Sequence, residues 1–209
     1  MLQTWSAIAI EDPKHKSAVA QLAEDQDFIR QAPLFLVFCA DLNRLSNICE
    51  QHQQSGLGLD KMDPFIMATV DAALAAQSVA VAVESLGLAY CFVGAIRNNA
   101  REMAELLGLP PRTFALVGMS IGKVDSSGLS DVKPRLPMEE VLHRERWNEK
   151  DHESLISSYD KALGEFYDDH QKHGRKPWSH HMARIASSEQ QDGRENMRQF
   201  LEIQDFGLK

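Results

Sequence analysis

The chain has 209 residues, of which 44% are hydrophobic and 25% charged, and this composition argues against a disordered chain, a collagen and a disulfide scaffold. Lysine and arginine number 22 against 30 aspartates and glutamates, so the net charge is −8. A protein that binds the DNA backbone needs the opposite field, so we expect no nucleic-acid partner. An anionic ligand would need a local patch of cations.

Cysteine content and apolar patterning indicate the compartment. Cys39, Cys49 and Cys91 cannot form a closed set of disulfide pairs, and no Cys-x-x-Cys spacing exists, which excludes a zinc ribbon and a thioredoxin-like motif. We expect Cys39 and Cys91 to be small buried apolar residues, because both lie in apolar runs. The start of the chain lacks the pattern of a signal peptide. The longest apolar stretch, residues 65–88, contains Asp71 and other polar groups, so we expect a cytoplasmic protein without a membrane span.

The first third of the chain predicts two strands and a helix. Residues 5–10 form a short apolar run, typical of a strand, and Pro13 then suits the first turn of a helix. The candidate core residues along this helical stretch are Ala18, Leu22 and Phe28. Residues 32–40 are continuously apolar, which predicts a strand buried on both faces. The polar stretch at residues 43–61 predicts a loop or a mobile helix.

The clearest helix prediction covers residues 63–86. Asp63 can cap the helix, Pro64 fits the first helical position, and Gly87 can end it in the left-handed conformation. A helix that is apolar almost all round belongs in a core or in an oligomer interface. We therefore expect this helix to be buried, partly against a second subunit.

The rest of the chain predicts further alternation of strands and helices. In chain order the patterns predict a strand at 88–93, a turn at 94–97, a helix at 98–107, a strand at 114–121 interrupted at Gly118, a long loop at 123–137 and a final helix at 189–204. Strands separated by helices indicate an α+β or α/β domain with a charged, helical C-terminal extension.

No common catalytic motif is present in the sequence. It lacks the Gly-x-Ser-x-Gly elbow, the His-Glu-x-x-His helix, the phosphate-binding P-loop and the Gly-x-Gly-x-x-Gly fingerprint. One polar segment contains four histidines, which are His170, His173, His180 and His181. Because solvated loop histidines are common, we predict no metal site there.

Basic residues that follow apolar strands are the better candidates for a binding site. Arg97 follows one such strand, and Gly94 and Ala95 leave backbone amides unshielded, which favours an anion or the polar edge of a ring. Lys133 and Arg135 flank a proline and form a stiffened pair of cations that suits a phosphate. An ordinary turn and a charged surface loop are the alternatives for these two features.

Four segments, in order along the chain, resemble the nitroreductase family. They are FIRQAPLFLVFCADLNR (28–44), DAALAAQSVAVAVESLGLAYCFVGAIRNN (71–99), ELLGLP (105–110) and KPRLPMEEVLHRERW (133–147). The resemblance is to the branch of NADPH-dependent, oxygen-insensitive nitroreductases and flavin reductases, and it runs from Leu2 to the C-terminus. It implies an α+β fold with a central mixed, mainly antiparallel sheet flanked by helices, a long buried central helix and a helical C-terminal extension. It also implies a core at residues 1–147 and a helical extension of the same domain at residues 148–209.

The resemblance implies a homodimer that holds FMN at its subunit interface and takes NADPH as reductant. It assigns Gln26 to the flavin ring or ribityl chain, and Lys133 and Arg135 to the FMN phosphate. Arg175 and Lys176 resemble the arm that contacts the 2′-phosphate of the nucleotide, with a solvated loop as the alternative. The turn facing the flavin comprises Phe92, Val93, Gly94, Ala95, Ile96 and Arg97.

Two departures from the family pattern stand out. Ala95 occupies the position of a second glycine, which adds a methyl group but keeps the N–H. Family chains begin with an Arg-Ser-x-Arg helix and a serine-rich turn, and we expect this sequence to begin beyond both. Since the flavin carries the hydride chemistry, we expect no dedicated catalytic side chain and a ping-pong reductase acting on nitroaromatics, quinones or flavins. The alternative is a truncated or degenerate member that serves as a dimeric, weakly flavin-binding scaffold.

Overall fold

The computed structural model describes residues 2–124, 131–189 and 192–209. By its internal contacts the chain divides into two compact units. The first consists of Met1–Val124 and Asp192–Lys209, and the second of Asp125–Gln191. The predicted boundary after residue 147 lies inside the second unit. Of the predicted loop at 123–137, residues 125–130 lie outside the described residues.

The first unit is built on a four-stranded sheet. Its strands are β1 (Trp5–Ile10), β2 (Leu34–Asp41), β3 (Ala89–Val93) and β4 (Thr113–Gly122). The strand order is β1-β2-β4-β3, and every described pairing is antiparallel. Strand β2 is buried on both faces, as its continuous apolar pattern predicts, because Phe35 lies in one apolar cluster and Phe38 in another. The α+β fold with a mainly antiparallel sheet is thus confirmed.

Helices cover both faces of this sheet. They are α1 (Pro13–Leu22), α2 (Asp27–Gln31), α3 (Asn43–Gln51), α4 (Met62–Ser85), α5 (Ala100–Leu107) and, near the C-terminus, α9 (Met197–Ile203). Asp12 caps α1 by accepting from the His15 amide at 2.8 Å. Phe28 is exposed, contrary to the predicted core, because Ile29 is the residue of α2 that turns inward. Of the two alternatives for residues 43–61, the structure has a helix, α3, followed by a short 3-10 turn.

Within this chain, helix α4 is buried along one face, and the predicted burial against a second subunit stays a prediction. Its inner face packs small side chains against the sheet, namely Ala68, Ala72, Ala76, Ala80 and Val83. Its outer face exposes large apolar side chains, namely Ile66, Val70, Leu74 and Val81. The N-cap is Lys61, so Asp63 lies in the first turn and does not cap the helix. Gly87 has a φ of 70°, as the predicted left-handed end requires.

The length and composition of α4 would also allow it to span a membrane. The helix nevertheless contacts all four strands of the sheet, as a core helix does. Asp71, in the middle of α4, accepts hydrogen bonds from Thr4 beside β1. These contacts give α4 a place in the core of the first unit.

Strand β4 continues without a break through Gly118, so the predicted interruption is wrong. A Cβ atom at position 118 would lie 2.4 Å from Cζ of Phe35 on the neighbouring strand. The glycine is therefore a packing requirement and not a turn signal, because its missing side chain leaves room for the Phe35 ring.

The second unit is helical, as predicted for the C-terminal extension. Its helices are α6 (Met138–Val141), α7 (His152–Asp169) and α8 (Trp178–Ala186). Helices α7 and α8 pack through an edge-to-face contact between Tyr159 and Trp178, with ring centroids 5.3 Å apart. Asp160 accepts from the Ser179 amide at 2.9 Å, which satisfies a free donor at the start of α8. The helix predicted at 189–204 is shorter than expected, because residues 192–196 are not helical and Met197 begins α9.

Candidate functional site

The turn after β3 is a 3-10 helix, Gly94–Arg97, that presents backbone donors. Its first amides, those of Gly94 and Ala95, have no acceptor within the turn itself. Val93 and Ile96 are buried and anchor the turn in the core, while Phe92 is 40% exposed. Ala95 has helical backbone geometry, so a methyl group is accommodated where the family has glycine.

Two guanidinium groups meet at this turn. Arg97 donates from Nη1 to the Leu116 carbonyl oxygen. Arg194, from the C-terminal segment, donates from Nε to Oδ1 of Asn98 at 2.8 Å and from Nη2 to the Gly94 carbonyl oxygen at 3.3 Å. Burial and then the charge of Arg194 lower the pKa of Arg97. Among the described residues, both cations donate to neutral oxygens.

Arg194 is absent from the predicted site, and a close backbone contact brings it there. Gly193 has a φ of 88°, and a Cβ atom at that position would lie 2.2 Å from the Asn98 carbonyl oxygen. The glycine thus lets the C-terminal segment approach the turn closely enough for Arg194 to reach Gly94. A glycine before an arginine is too common a pair to indicate a site, so no local pattern identifies Arg194.

Gln26, the predicted flavin ligand, is the half-buried N-cap residue of α2. The chain just before it is attached to the end of the β3 turn. Asn98 donates to Oε1 of Glu24 at 2.6 Å, and Asn99 donates to the Leu22 carbonyl oxygen at 2.7 Å. These bonds hold the segment that carries Gln26 next to the Gly94–Arg97 region of the first unit.

The predicted phosphate ligands lie in the second unit. Lys133 and Arg135 are exposed, and Nη1 of Arg135 donates to the Lys133 carbonyl oxygen at 3.4 Å. Nζ of Lys133 lies 5.2 Å from the ring centroid of Tyr167, and Cζ of Arg175 lies 4.7 Å from it. The structure therefore brings Lys133 and Arg175 to one ring, although the sequence pattern treats them as separate features. Lys176 and Arg175 line a cavity of about 330 Å³ beside that ring.

The polar histidine segment forms local contacts. His170 lies with its ring stacked on Phe166, at 4.2 Å between centroids, and His173 lies 3.1 Å from a carboxylate oxygen of Asp168. In the part of the chain that the structure describes, no group of three or more His, Cys, Asp or Glu side chains is arranged to hold a metal ion.

Each unit offers donors that suit one part of a flavin nucleotide. The amides of Gly94 and Ala95, at the start of the turn in the first unit, suit the acceptor oxygens and nitrogens of a flavin ring. The charged side chains of the second unit suit phosphate groups. The residues present therefore fit FMN and a nicotinamide nucleotide by their chemistry.

Two family profiles match nearly the whole chain. The Nitroreductase family matches residues 2–123, and the Nitroreductase family, C-terminal domain, matches residues 133–209. Together they cover both units.

Named relatives agree with these matches. The oxygen-insensitive NADPH nitroreductase of Salmonella typhimurium is 38% identical over 189 residues, which is 90% of this chain and 75% of that protein. The FMN reductase (NADPH) of Bacillus subtilis is 35% identical over 170 residues, which is 79% of this chain and 67% of that protein.

Solved structures extend the likeness to the fold. NfrA2 of B. megaterium superimposes with a TM-score of 0.92 at 33% identity, over 100% of this chain and 82% of that one. The NADPH:FMN oxidoreductase of Vibrio harveyi, in complex with NAD⁺, gives a TM-score of 0.84 at 31% identity, over 100% of this chain and 81% of that one. This chain therefore belongs to the nitroreductase family, in the branch of NADPH nitroreductases and flavin reductases.

Proposed function

We propose that the protein is an FMN-dependent oxidoreductase that transfers hydride from NADPH to nitroaromatics, quinones or free flavins in a ping-pong cycle. The observation that carries the proposal is the pair of uncommitted amides of Gly94 and Ala95 at the start of the anchored Gly94–Arg97 turn. Relatives named NADPH nitroreductase, FMN reductase and NADPH-flavin oxidoreductase support the choice of reductant and acceptor.

The residues of the turn bind and orient the flavin ring. FMN, when bound, supplies the hydride chemistry, so the protein needs no catalytic side chain of its own. The amides of Gly94 and Ala95 donate hydrogen bonds to the polar edge of the ring. Arg194, which donates to the Gly94 carbonyl oxygen, and Arg97, which donates to the Leu116 carbonyl oxygen of β4, would hold the turn in place so that its two amides stay fixed toward the ring. Gln26 contacts the ring or the ribityl chain.

Phosphate groups are bound by the cations of the second unit. By their resemblance to family positions, Lys133 and Arg135 hold the FMN phosphate. Arg175 and Lys176 hold the 2′-phosphate of NADPH, which explains how a chain of net charge −8 binds two anionic cofactors.

A second copy of the chain completes the enzyme. The exposed apolar face of α4 supports a homodimer, because monomers rarely leave such a row of large side chains in water. The protein works in the cytoplasm on small acceptors, without nucleic-acid or membrane partners.

Flavin absorption and NADPH oxidation test the proposal. We expect the purified protein to show flavin absorption after incubation with FMN, and to oxidise NADPH in the presence of a quinone. Arg194→Ala should lower kcat/KM by about ten-fold or more, because the turn loses the side chain that binds Gly94 and Asn98 and holds the amides in place. The matched control is Arg198→Ala, since Arg198 belongs to the same segment but is 81% exposed and pairs with Glu202.

Two outcomes contradict the proposal. A protein that takes up no FMN at saturating concentration is the scaffold of the alternative interpretation, provided that it still dimerises. Equal activity losses in Arg194→Ala and Arg198→Ala would remove Arg194 from the flavin site.

A further inference from the structure

Tyr167, on α7, binds two cations from different segments of the second unit. Lys133 precedes α6 in the chain, and Arg175 lies between α7 and α8. Nζ of Lys133 and Cζ of Arg175 lie 5.2 Å and 4.7 Å from the centroid of the Tyr167 ring, both within the range of a cation–π interaction. One aromatic ring thus links the two cationic segments.

In the part of the chain that the structure describes, no carboxylate is paired with these cations. Among the ion pairs of the described residues, none includes Lys133, Arg175 or Lys176. The two cations also lower the pKa of Tyr167, Lys133 more than Arg175. A positive cluster of this kind on an acidic protein favours an anionic ligand.

A cavity adjoins the cluster. It measures about 330 Å³ and is lined by Leu163, Tyr167, Arg175, Lys176, Trp178 and His181. Its lining combines an aromatic ring with neighbouring cations, which suits a phosphate group joined to a sugar.

We propose that Tyr167 is a positioning residue for NADPH: its ring holds Arg175 at the cavity where the 2′-phosphate of the nucleotide binds. The inference rests on the proposed function and deepens it, since it names the residue that organises the nucleotide arm. The aromatic ring of Tyr167 holds the cation, because cation–π attraction comes from the face of the ring and not from the hydroxyl group.

Three variants separate the ring from the hydroxyl group and from general damage. Tyr167→Leu removes the ring, Tyr167→Phe keeps it, and Trp147→Leu removes a more exposed aromatic ring of the same unit, 76% exposed. We expect Tyr167→Leu to raise KM for NADPH about five-fold, with kcat and KM for NADH changed by less than about two-fold. Tyr167→Phe should restore most of the NADPH affinity, and Trp147→Leu should leave both nucleotides unaffected.

A binding measurement makes the test independent of turnover. Calorimetry with adenosine 2′,5′-bisphosphate should show the same loss of about five-fold in Tyr167→Leu, whereas adenosine 5′-monophosphate should show none. If the wild type binds the bisphosphate but takes up no FMN, the proposed function fails and the inference about Tyr167 stands. If the enzyme is active but Tyr167→Leu binds the bisphosphate like the wild type, the inference fails alone.

A double-mutant cycle tests whether Tyr167 acts through Arg175. In an Arg175→Gln background, Tyr167→Leu should cost less than about two-fold in bisphosphate affinity, because the group that the ring positions is gone. An undiminished loss in that background, or an equal loss in Tyr167→Phe, overturns the inference. Should Tyr167→Leu fail to fold by circular dichroism, Tyr167→Met replaces it as the variant without the ring: a loss of bisphosphate affinity supports the inference, and unchanged affinity overturns it.

Discussion

Cys39 illustrates how strongly the interior acts on a single residue. It is fully buried on β2, as expected for a small apolar side chain, and desolvation followed by the charge of Asp41 raises its pKa to about 12. The sequence predicts burial of Cys91 as well, but Cys91 is exposed on β3, an edge strand of the sheet. Burial raises the pKa of Cys91 as well.

The buried thiol predicts a loss of stability at alkaline pH. In the unfolded chain the thiol ionises near its ordinary pKa of 9.0, whereas in the folded protein it keeps its proton up to about pH 12. Above pH 9 the unfolded state therefore binds fewer protons than the native state, and the free energy of unfolding falls by about 1.4 kcal/mol per pH unit. The contribution of the protonated Cys39 thiol to the free energy of unfolding is complete below pH 9, and it is lost between pH 9 and about 12.

The contribution of the Cys39 thiol to the free energy of unfolding can be measured by urea unfolding of the wild type and of Cys39→Ala. Both proteins are unfolded at about pH 8 and at about pH 10.5. The wild type should lose about 2 kcal/mol more than the variant over that interval, since other groups titrate equally in both proteins. Parallel losses in the two proteins would show that the thiol ionises in the folded state.

At the scale of elements, one carboxylate joins β1 to α4. Oδ2 of Asp71 accepts from the amide of Thr4 at 3.1 Å and from its hydroxyl group at 2.9 Å. Thr4 is fully buried, so no water replaces this acceptor. In the sequence Asp71 only argues against a membrane span, whereas in the fold it fastens the first strand to the central helix.

Loss of that carboxylate should destabilise the first unit. Asp71→Ala leaves two buried donors of Thr4 without an acceptor, which costs about 3 kcal/mol of unfolding free energy. Asp63→Ala, in the exposed first turn of the same helix, serves as the control and should cost less than about 0.5 kcal/mol. Chemical denaturation compares the two, and similar midpoints would mean that solvent satisfies Thr4.

At the scale of the whole molecule, the exposed apolar side chains on the outer face of α4 favour contact with a second protein surface. Leu74, 61% exposed, lies among large apolar side chains on a helix whose other face is already buried. Such a patch favours association, and the closed symmetric dimer is the commonest assembly. The positive clusters at Arg194 and at Tyr167 contrast with a surface that is acidic as a whole.

A charge on this face should separate the subunits. Leu74→Glu is expected to convert a dimer into a monomer, because an unpaired carboxylate in an apolar interface costs several kcal/mol. Val132→Glu, which alters an apolar side chain that is 93% exposed in the second unit, should leave the dimer intact. Sedimentation equilibrium gives the mass of each variant, and an unchanged mass for Leu74→Glu would place any dimer contact elsewhere.

The predictable part of the fold is the part set by local pattern. The continuous apolar run of β2 and the alanine-rich α4 are readable from neighbouring residues alone, because each depends on side chains within a few positions. The prediction at Gly118 is wrong for the same reason. A glycine within a strand pattern indicates a break, and only the tertiary structure shows that the Phe35 ring occupies the space that a side chain there would need.

By itself the sequence determined the family, the order of strands and helices, and the turn at Gly94 and Ala95, since all of these follow from contiguous motifs. Only the tertiary structure decided that Arg194 joins Gly94, 100 positions away, and that Tyr167 gathers Lys133 and Arg175. It also decided that α4 buries one face and leaves the other exposed. The physical reason is that these contacts depend on which distant segments the folded core brings together, and no local spacing records that.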